Sequence, residues 1–259
     1  MTDTPSPTPS ASPPSWILCA TPRTGSTLLC SLLESTGVAG HPQSWFRRQD
    51  MGRMAHEWGV TPSPDAQVPF AAYLEAANRA GRTANRVFAA RIMWGTMDEL
   101  TANLAEVYPE YADHTAALLD RSFGPVRFIH LQREDVVAQA VSWMRAEQTQ
   151  LWHYRRGEPV PLRATPRYHF GKLKDFVRTI DAHNAAWDAW FAKAGITPLR
   201  VIYETLDEDP AGTAADLLAA LGITLPPGQS LESPTLRQAD ALNREWVARF
   251  HSDAAARTG

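Results

Sequence analysis

Trp16-Ile17-Leu18-Cys19-Ala20-Thr21-Pro22-Arg23-Thr24-Gly25-Ser26-Thr27-Leu28-Leu29-Cys30-Ser31-Leu32-Leu33 carries three local signals in one stretch. The apolar run 16–20 stops at turn chemistry, as a short buried strand does. Leu28, Leu29, Leu32 and Leu33 then recur at the spacing of one helical face. Between them, Gly25 permits close approach of the backbone, and Ser26 and Thr27 set hydroxyls at the helix start. Strand, loop and helix in this order aim unpaired N–H groups and a positive dipole end at the loop. Such an end attracts an oxyanion.

The anion is not read as the phosphates of an ATPase substrate. That motif is G-x-x-x-x-G-K-[ST], but Ala20 stands at the first glycine and Ser26 at the lysine. The cation lies inside the loop instead, at Arg23, where a planar guanidinium binds phosphate bidentately and stays charged. An ordinary Gly/Ser helix entry with a surface arginine has the same heptad, so a second site must decide.

Length and charge narrow the classes. A chain of 259 residues suits one large domain over 16–255, long enough to bury a sizeable core. A net charge of -3 gives no basic excess for tracking nucleic acid. Cys19 and Cys30, the two cysteines, sit on adjoining apolar elements as small core residues, which fits a reducing compartment. His56-Glu57 lacks the second histidine of a zinc-protease helix, since Val60 stands there, and no metal is expected. Residues 1–15 are nearly all Thr, Ser, Pro and Ala and are expected to be a disordered tail. Without a signal-peptide pattern or an apolar run of spanning length, the expectation is a cytoplasmic protein with no membrane partner.

Further strands are predicted at 87–94, 126–131 and 199–203, and helices at 70–79, 97–108 and 167–193. Asp135 is placed to cap a helix carrying Val136, Val137, Ala140, Val141 and Met144, and Asp209-Pro210 to start one that Gly222 closes. Alternating strands and helices predict an α/β fold, a parallel β-sheet flanked by helices. Ligands of such sheets sit beyond the carboxyl ends of the strands. Arg133 leaves that end of the third strand, and Ser142 follows nine residues later on the next helix. Singly, each also reads as a surface cation and a helix-face serine.

Together these residues resemble a known pattern. Pro22-Arg23-Thr24-Gly25-Ser26-Thr27, then Arg133 with Ser142, look like the two phosphosulfate-binding elements of sulfotransferases that use 3′-phosphoadenylyl sulfate (PAPS). Gly37-Val38-Ala39-Gly40, Pro42-Gln43, Ile92-Met93-Trp94, Asp135-Val136-Val137, Gln139-Ala140-Val141-Ser142-Trp143, Tyr168-His169, Trp187, Ala189-Trp190-Phe191, Arg237-Gln238-Ala239-Asp240 and Glu245-Trp246-Val247 follow in the order seen in the Stf-zero (Stf0) group. The resemblance covers nearly all of the chain except the tail. It implies a P-loop-like sulfotransferase fold, a homodimer, and sulfuryl transfer from PAPS to a hydroxyl of a small, carbohydrate, trehalose-like acceptor. Arg23, Thr24, Gly25, Ser26 and Thr27 would hold the 5′-phosphosulfate, Arg133 and Ser142 the 3′-phosphate, and Arg237 would close on the nucleotide. A degenerate member that holds nucleotide without transfer is the alternative.

The acceptor side departs from the pattern. Trehalose-modifying members carry two glutamates around Pro-Gln, the second the proposed base, where this chain has His41 and Ser44. Serine is a poor base near neutrality, so His41 becomes the candidate substitute, beside the alternative of a loop histidine that only binds. Gln43, Ser44, Trp45, Phe46 and Trp58 are candidate acceptor residues, since aromatic faces pack on sugar C–H surfaces and amides bond hydroxyls. Trp45 and Phe46 serve equally well as core anchors of their loop.

Overall fold

A computed structural model describes residues 15–65, 67–152, 165–229, 231 and 241–258. Four strands, β1 (Ser15–Ala20), β2 (Phe88–Met93), β3 (Val126–Gln132) and β4 (Leu199–Ile202), form one all-parallel sheet in the order β2-β1-β3-β4. Every residue of β1 is buried, as a central strand covered on both faces requires. Ser15, expected in the tail, opens this strand and donates its Oγ to the Phe123 carbonyl at 2.5 Å. The remainder of the expected tail lies outside the described residues.

The period of two along β1 divides its side chains between two cores. Trp16, Leu18 and Ala20 pack with Leu29 and Leu33 of α1 (Ser26–Ser35) and with Leu217 and Leu221 of α9 (Pro210–Leu221). Ile17 and Cys19 face the other way. There they meet α3 (Phe70–Ala80), α4 (Met97–Val107), α5 (Thr115–Phe123) and the Trp187 end of α7 (Phe170–Ala194). A third cluster joins α6 (Val136–Thr149) to α7 and α10 (Ala241–Thr258) through Met144, Ile180, Trp246 and Phe250. The indole of Trp187 donates to the Ala20 carbonyl at 3.1 Å, pinning α7 to the carboxyl end of β1.

Caps follow the sequence closely. The Asp135 side chain accepts from the Ala138 N–H, and that of Asp209 from the Gly212 N–H. Gly195 and Gly222 end α7 and α9 in the left-handed conformation that glycine adopts without strain. The structure adds α2 (Arg48–Glu57), α5, the short α8 (Tyr203–Glu208) and α10 to the predicted helices.

His130 on β3 is fully buried beside the rings of Trp187 and Phe191. Burial lowers its pKa to about 4; Asp188, 3.6 Å away, opposes the shift and Arg200 adds to it. The unfolded chain takes up this proton near pH 6.5, so between those values the unfolded state binds more protons. Stability therefore falls as pH drops from about 6.5 towards 4, by about 2 kcal/mol between pH 7 and pH 5. Urea unfolding of wild type and His130→Phe at both pH values checks this: the variant should lose distinctly less. Equal losses would place the acid sensitivity elsewhere.

Candidate active site

The loop between β1 and α1 is built on unusual backbone. Gly25 is the N-cap of α1 with φ +81°, where an added Cβ would stand 2.5 Å from Cδ2 of Tyr203. No side chain caps the helix, and its first turn holds no acidic residue. An uncapped start with its dipole uncompensated fits an oxyanion. Thr24 is fully buried and holds the turn by donating to the Thr21 carbonyl at 3.0 Å. Ser26 is buried, while Thr27 is partly exposed.

Arg23 also has a positive φ, +68°, which a non-glycine residue adopts only when its surroundings fix it. Here its Nε donates to Ser142 Oγ at 2.9 Å and its NH1 to the Trp152 carbonyl. The two elements singled out from sequence therefore touch, across 119 positions of chain. Gln139 of α6, fully buried, adds a brace through bonds to Thr21 Oγ1 at 2.8 Å and the Pro22 carbonyl at 2.7 Å.

Arg133 approaches the same place from β3. Its guanidinium lies over the Tyr203 ring, 4.4 Å from the centroid, and that ring packs against Gly25. Its side chain is 13% exposed, and Nε is buried without a hydrogen-bond partner, 3.9 Å from Glu204 Oε1. Glu204 also accepts from the N–H groups of Glu134 at 3.1 Å and Asp135 at 3.3 Å, fixing the turn that carries Arg133. An orphaned guanidinium donor beside an uncapped helix start fits a second phosphate. Arg237 lies outside the described residues.

On the other side of α1, the loop after Gly40 is tied down by its own polar groups. Glu34 receives His41 Nδ1 at 3.1 Å on one carboxylate oxygen and Gln43 Nε2 at 2.9 Å on the other. Ser44 lies against Arg91 of β2, whose Nε donates to Ser44 Oγ and whose NH1 donates to Thr27 Oγ1, both at 3.0 Å. Thr27 and Glu34 are seven residues apart on α1, about 10 Å along its axis. Ser44 thus borders the helix start, while the His41 group sits about two turns farther along.

The aromatic candidates divide. Phe46 is 3% exposed and packs on Phe123, Phe70 and Tyr73, so it anchors the loop and has no face for a ligand. Trp45 is nearly as buried, its indole donating to the His41 and Ala89 carbonyls. Trp58 is partly buried against Trp45 and Tyr73. Arg91 and Glu34 were not singled out from sequence, because their partners lie far along the chain or on a neighbouring element; Gln139 and Tyr203 fell within stretches that carry the family resemblance, without a role of their own. Cys30 lies within reach of both Arg91 and Glu34, and burial pushes its thiol up to about 12, leaving it neutral and unreactive. Among the described residues, no three His, Cys, Asp or Glu side chains are grouped to hold a metal ion, and no helix is long and apolar enough to cross a membrane.

One end of the parallel α/β sheet thus carries an uncapped helix start behind an arginine-bearing loop, with a second arginine at the end of the neighbouring strand. The chain belongs to the Stf0 sulphotransferase family, whose model matches residues 15–253. It is 35% identical to a trehalose 2-sulfotransferase of Mycobacterium tuberculosis (strain Erdman), covering 92% of this chain and 95% of that one. It is 32% identical to a trehalose 2-sulfotransferase of Mycolicibacterium smegmatis, covering 93% and 96%. A solved sulfotransferase from Alicyclobacillus acidocaldarius matches with a TM-score of 0.45 at 14% identity over 95% of this chain and 94% of that one, too loose a likeness to add to the assignment. Sulfuryl transfer is the chemistry of the family.

Proposed function

We propose that this protein transfers a sulfuryl group from PAPS to a hydroxyl of a small carbohydrate acceptor. The observation that carries this reading is the bond between Arg23 and Ser142, with Arg133 brought alongside through Tyr203. It gathers two guanidinium groups and a bare helix start around one end of the sheet, as a nucleotide with phosphates at both 3′ and 5′ positions requires. Arg23 and the first N–H groups of α1 would hold the 5′-phosphosulfate and stabilise charge that grows on the leaving phosphate. Arg133 and Ser142 would hold the 3′-phosphate. Catalysis then rests on alignment and electrostatics, as in phosphoryl transfer.

His41, Gln43 and Ser44 form the acceptor side of this reading. With Glu34 ionised, His41 donates from Nδ1 and leaves Nε2 to accept from a hydroxyl. The two-turn distance from Thr27 favours a hydroxyl-binding role over that of the base, so His41→Ala should raise the acceptor KM more than it lowers kcat. A fall in kcat of about a hundredfold at unchanged KM would restore it as the base. A loose transition state needs little base assistance, which is compatible with Ser44 beside Arg91.

Calorimetric titration of 3′-phosphoadenosine 5′-phosphate (PAP) against ADP tests the donor assignment. Wild type should prefer PAP, and Arg133→Ala should weaken PAP by about 10- to 100-fold while leaving ADP unchanged, since one charge-assisted contact contributes about 1.5–3 kcal/mol. Equal binding of the two nucleotides would refute PAPS as donor. PAPS binding with no PAP formed in the presence of any hydroxyl acceptor would instead indicate a nucleotide-holding protein.

A further inference from the structure

Among the described residues, Arg91 is the guanidinium that joins the start of α1 to the loop after Gly40. It projects from β2, donates to Thr27 Oγ1 at the start of α1 and to Ser44 Oγ in the acceptor loop, and its backbone N–H donates to the Gln43 carbonyl at 2.9 Å. Both side-chain partners are neutral hydroxyls. Among the described residues, no carboxylate lies within ion-pair distance of it; Glu34, on the same helix as Thr27, is committed to His41 and Gln43. Two of the five guanidinium N–H groups are used. A half-buried cation without a carboxylate is costly in isolation and is stabilised when an anion reaches it. On the donor reading above, its position lies between the helix start that would hold the phosphosulfate and the loop that would hold the acceptor.

We infer that Arg91 binds the sulfuryl oxygens in transit, an assignment that rests on the donor reading above. In the transfer, the bond from sulfur to the bridging oxygen of the 5′-phosphate breaks and its electron pair leaves on that oxygen. The acceptor oxygen bonds to sulfur and releases its proton to a base or to water. The three outer oxygens of sulfur carry negative charge throughout, and the remaining N–H groups of Arg91 complement them. Thr27 and Ser44 act as positioning residues by holding the guanidinium plane. Ser44 in this role explains how a position that lacks a carboxylate still serves the reaction: a glutamate there would pair with Arg91 and compete with the sulfuryl oxygens for it.

PAPS and PAP differ at the sulfuryl group, so their relative affinity isolates the contact without a known acceptor. Calorimetry of wild type, Arg91→Met and Arg91→Lys with each nucleotide should show PAPS weakened at least tenfold in Arg91→Met. PAP should stay within twofold, which also certifies the fold, and Arg91→Lys should recover part of the PAPS affinity. An unchanged PAPS-to-PAP ratio, or equal loss of both, would overturn the assignment. So would an unchanged ratio accompanied by loss of binding to glucose 6-phosphate, used as an acidic-sugar probe, because the anion would then belong to the acceptor. If wild type binds neither nucleotide, the donor reading itself has failed, an outcome distinct from an unchanged ratio.

Discussion

Replacing Arg23 by alanine is expected to lower sulfuryl transfer by about a thousandfold, the cost typical of removing one preorganised electrostatic contact to developing charge. Arg23 sits at positive φ with its side chain bonded to Ser142 Oγ and the Trp152 carbonyl. The chain maintains a strained backbone there to aim one guanidinium. Lysine cannot supply both an Nε and a terminal nitrogen donor in that fork, so Arg23→Lys should recover little. Arg23→Gly separates the contributions: it relieves the backbone while deleting the cation. If turnover falls equally in the glycine and alanine variants while thermal unfolding shows glycine the more stable, the guanidinium carries the effect. Wild-type turnover in either variant would remove Arg23 from the reaction.

The second large effect is expected at Gly25. Alanine there adds a methyl 2.5 Å from Cδ2 of Tyr203 at a φ of +81°, combining left-handed strain of about 1–2 kcal/mol with an overlap that the ring must relieve by moving. Because the Arg133 guanidinium lies over the same ring, one added methyl should disturb both proposed phosphate positions. PAP affinity should fall more than a hundredfold, together with about 2–4 kcal/mol of stability. Urea unfolding and PAP titration of Gly25→Ala measure the two losses. Stability lost with PAP affinity intact would show that Tyr203 does not couple the sites.

The parts of this architecture that were legible in the sequence are those written in local chemistry. β1 and α1 were readable because a fully buried strand is a continuous apolar run and because leucines mark the helix face. Asp135, Asp209 and Gly222 marked helix ends through side chains and a glycine that act within a few residues. α2 escaped because Arg48–Glu57 is polar on nearly every side and buries only Ala55. α10 escaped because its apolar residues make no clean stripe, although Trp246 and Phe250 are buried. Arg23, Arg133 and Ser142, the proposed donor residues, stand out in the sequence by the loop motif and the nine-residue spacing, whereas Arg91 reads as one cation in a strand until folding brings it to Thr27 and Ser44. Phe46 shows the converse: an aromatic in a polar loop reads as a ligand wall or as an anchor, and the packing against Phe123 decides for the anchor.

The central position of β1 also sets the order in which the chain can fold. This strand leaves the ribosome before the other three strands of the sheet, yet its neighbours are Phe88–Met93 and Val126–Gln132. At about 5–20 residues per second, translation leaves Trp16, Ile17 and Leu18 without one of their two partner strands for on the order of ten seconds. Parallel pairing at such separations is also slow once the partners exist. The strand that leads into the Arg23 loop is therefore the strand of this sheet most exposed to misassociation during synthesis, and recovery of soluble protein should respond to slower translation or added chaperone more than to changes at the sheet edges.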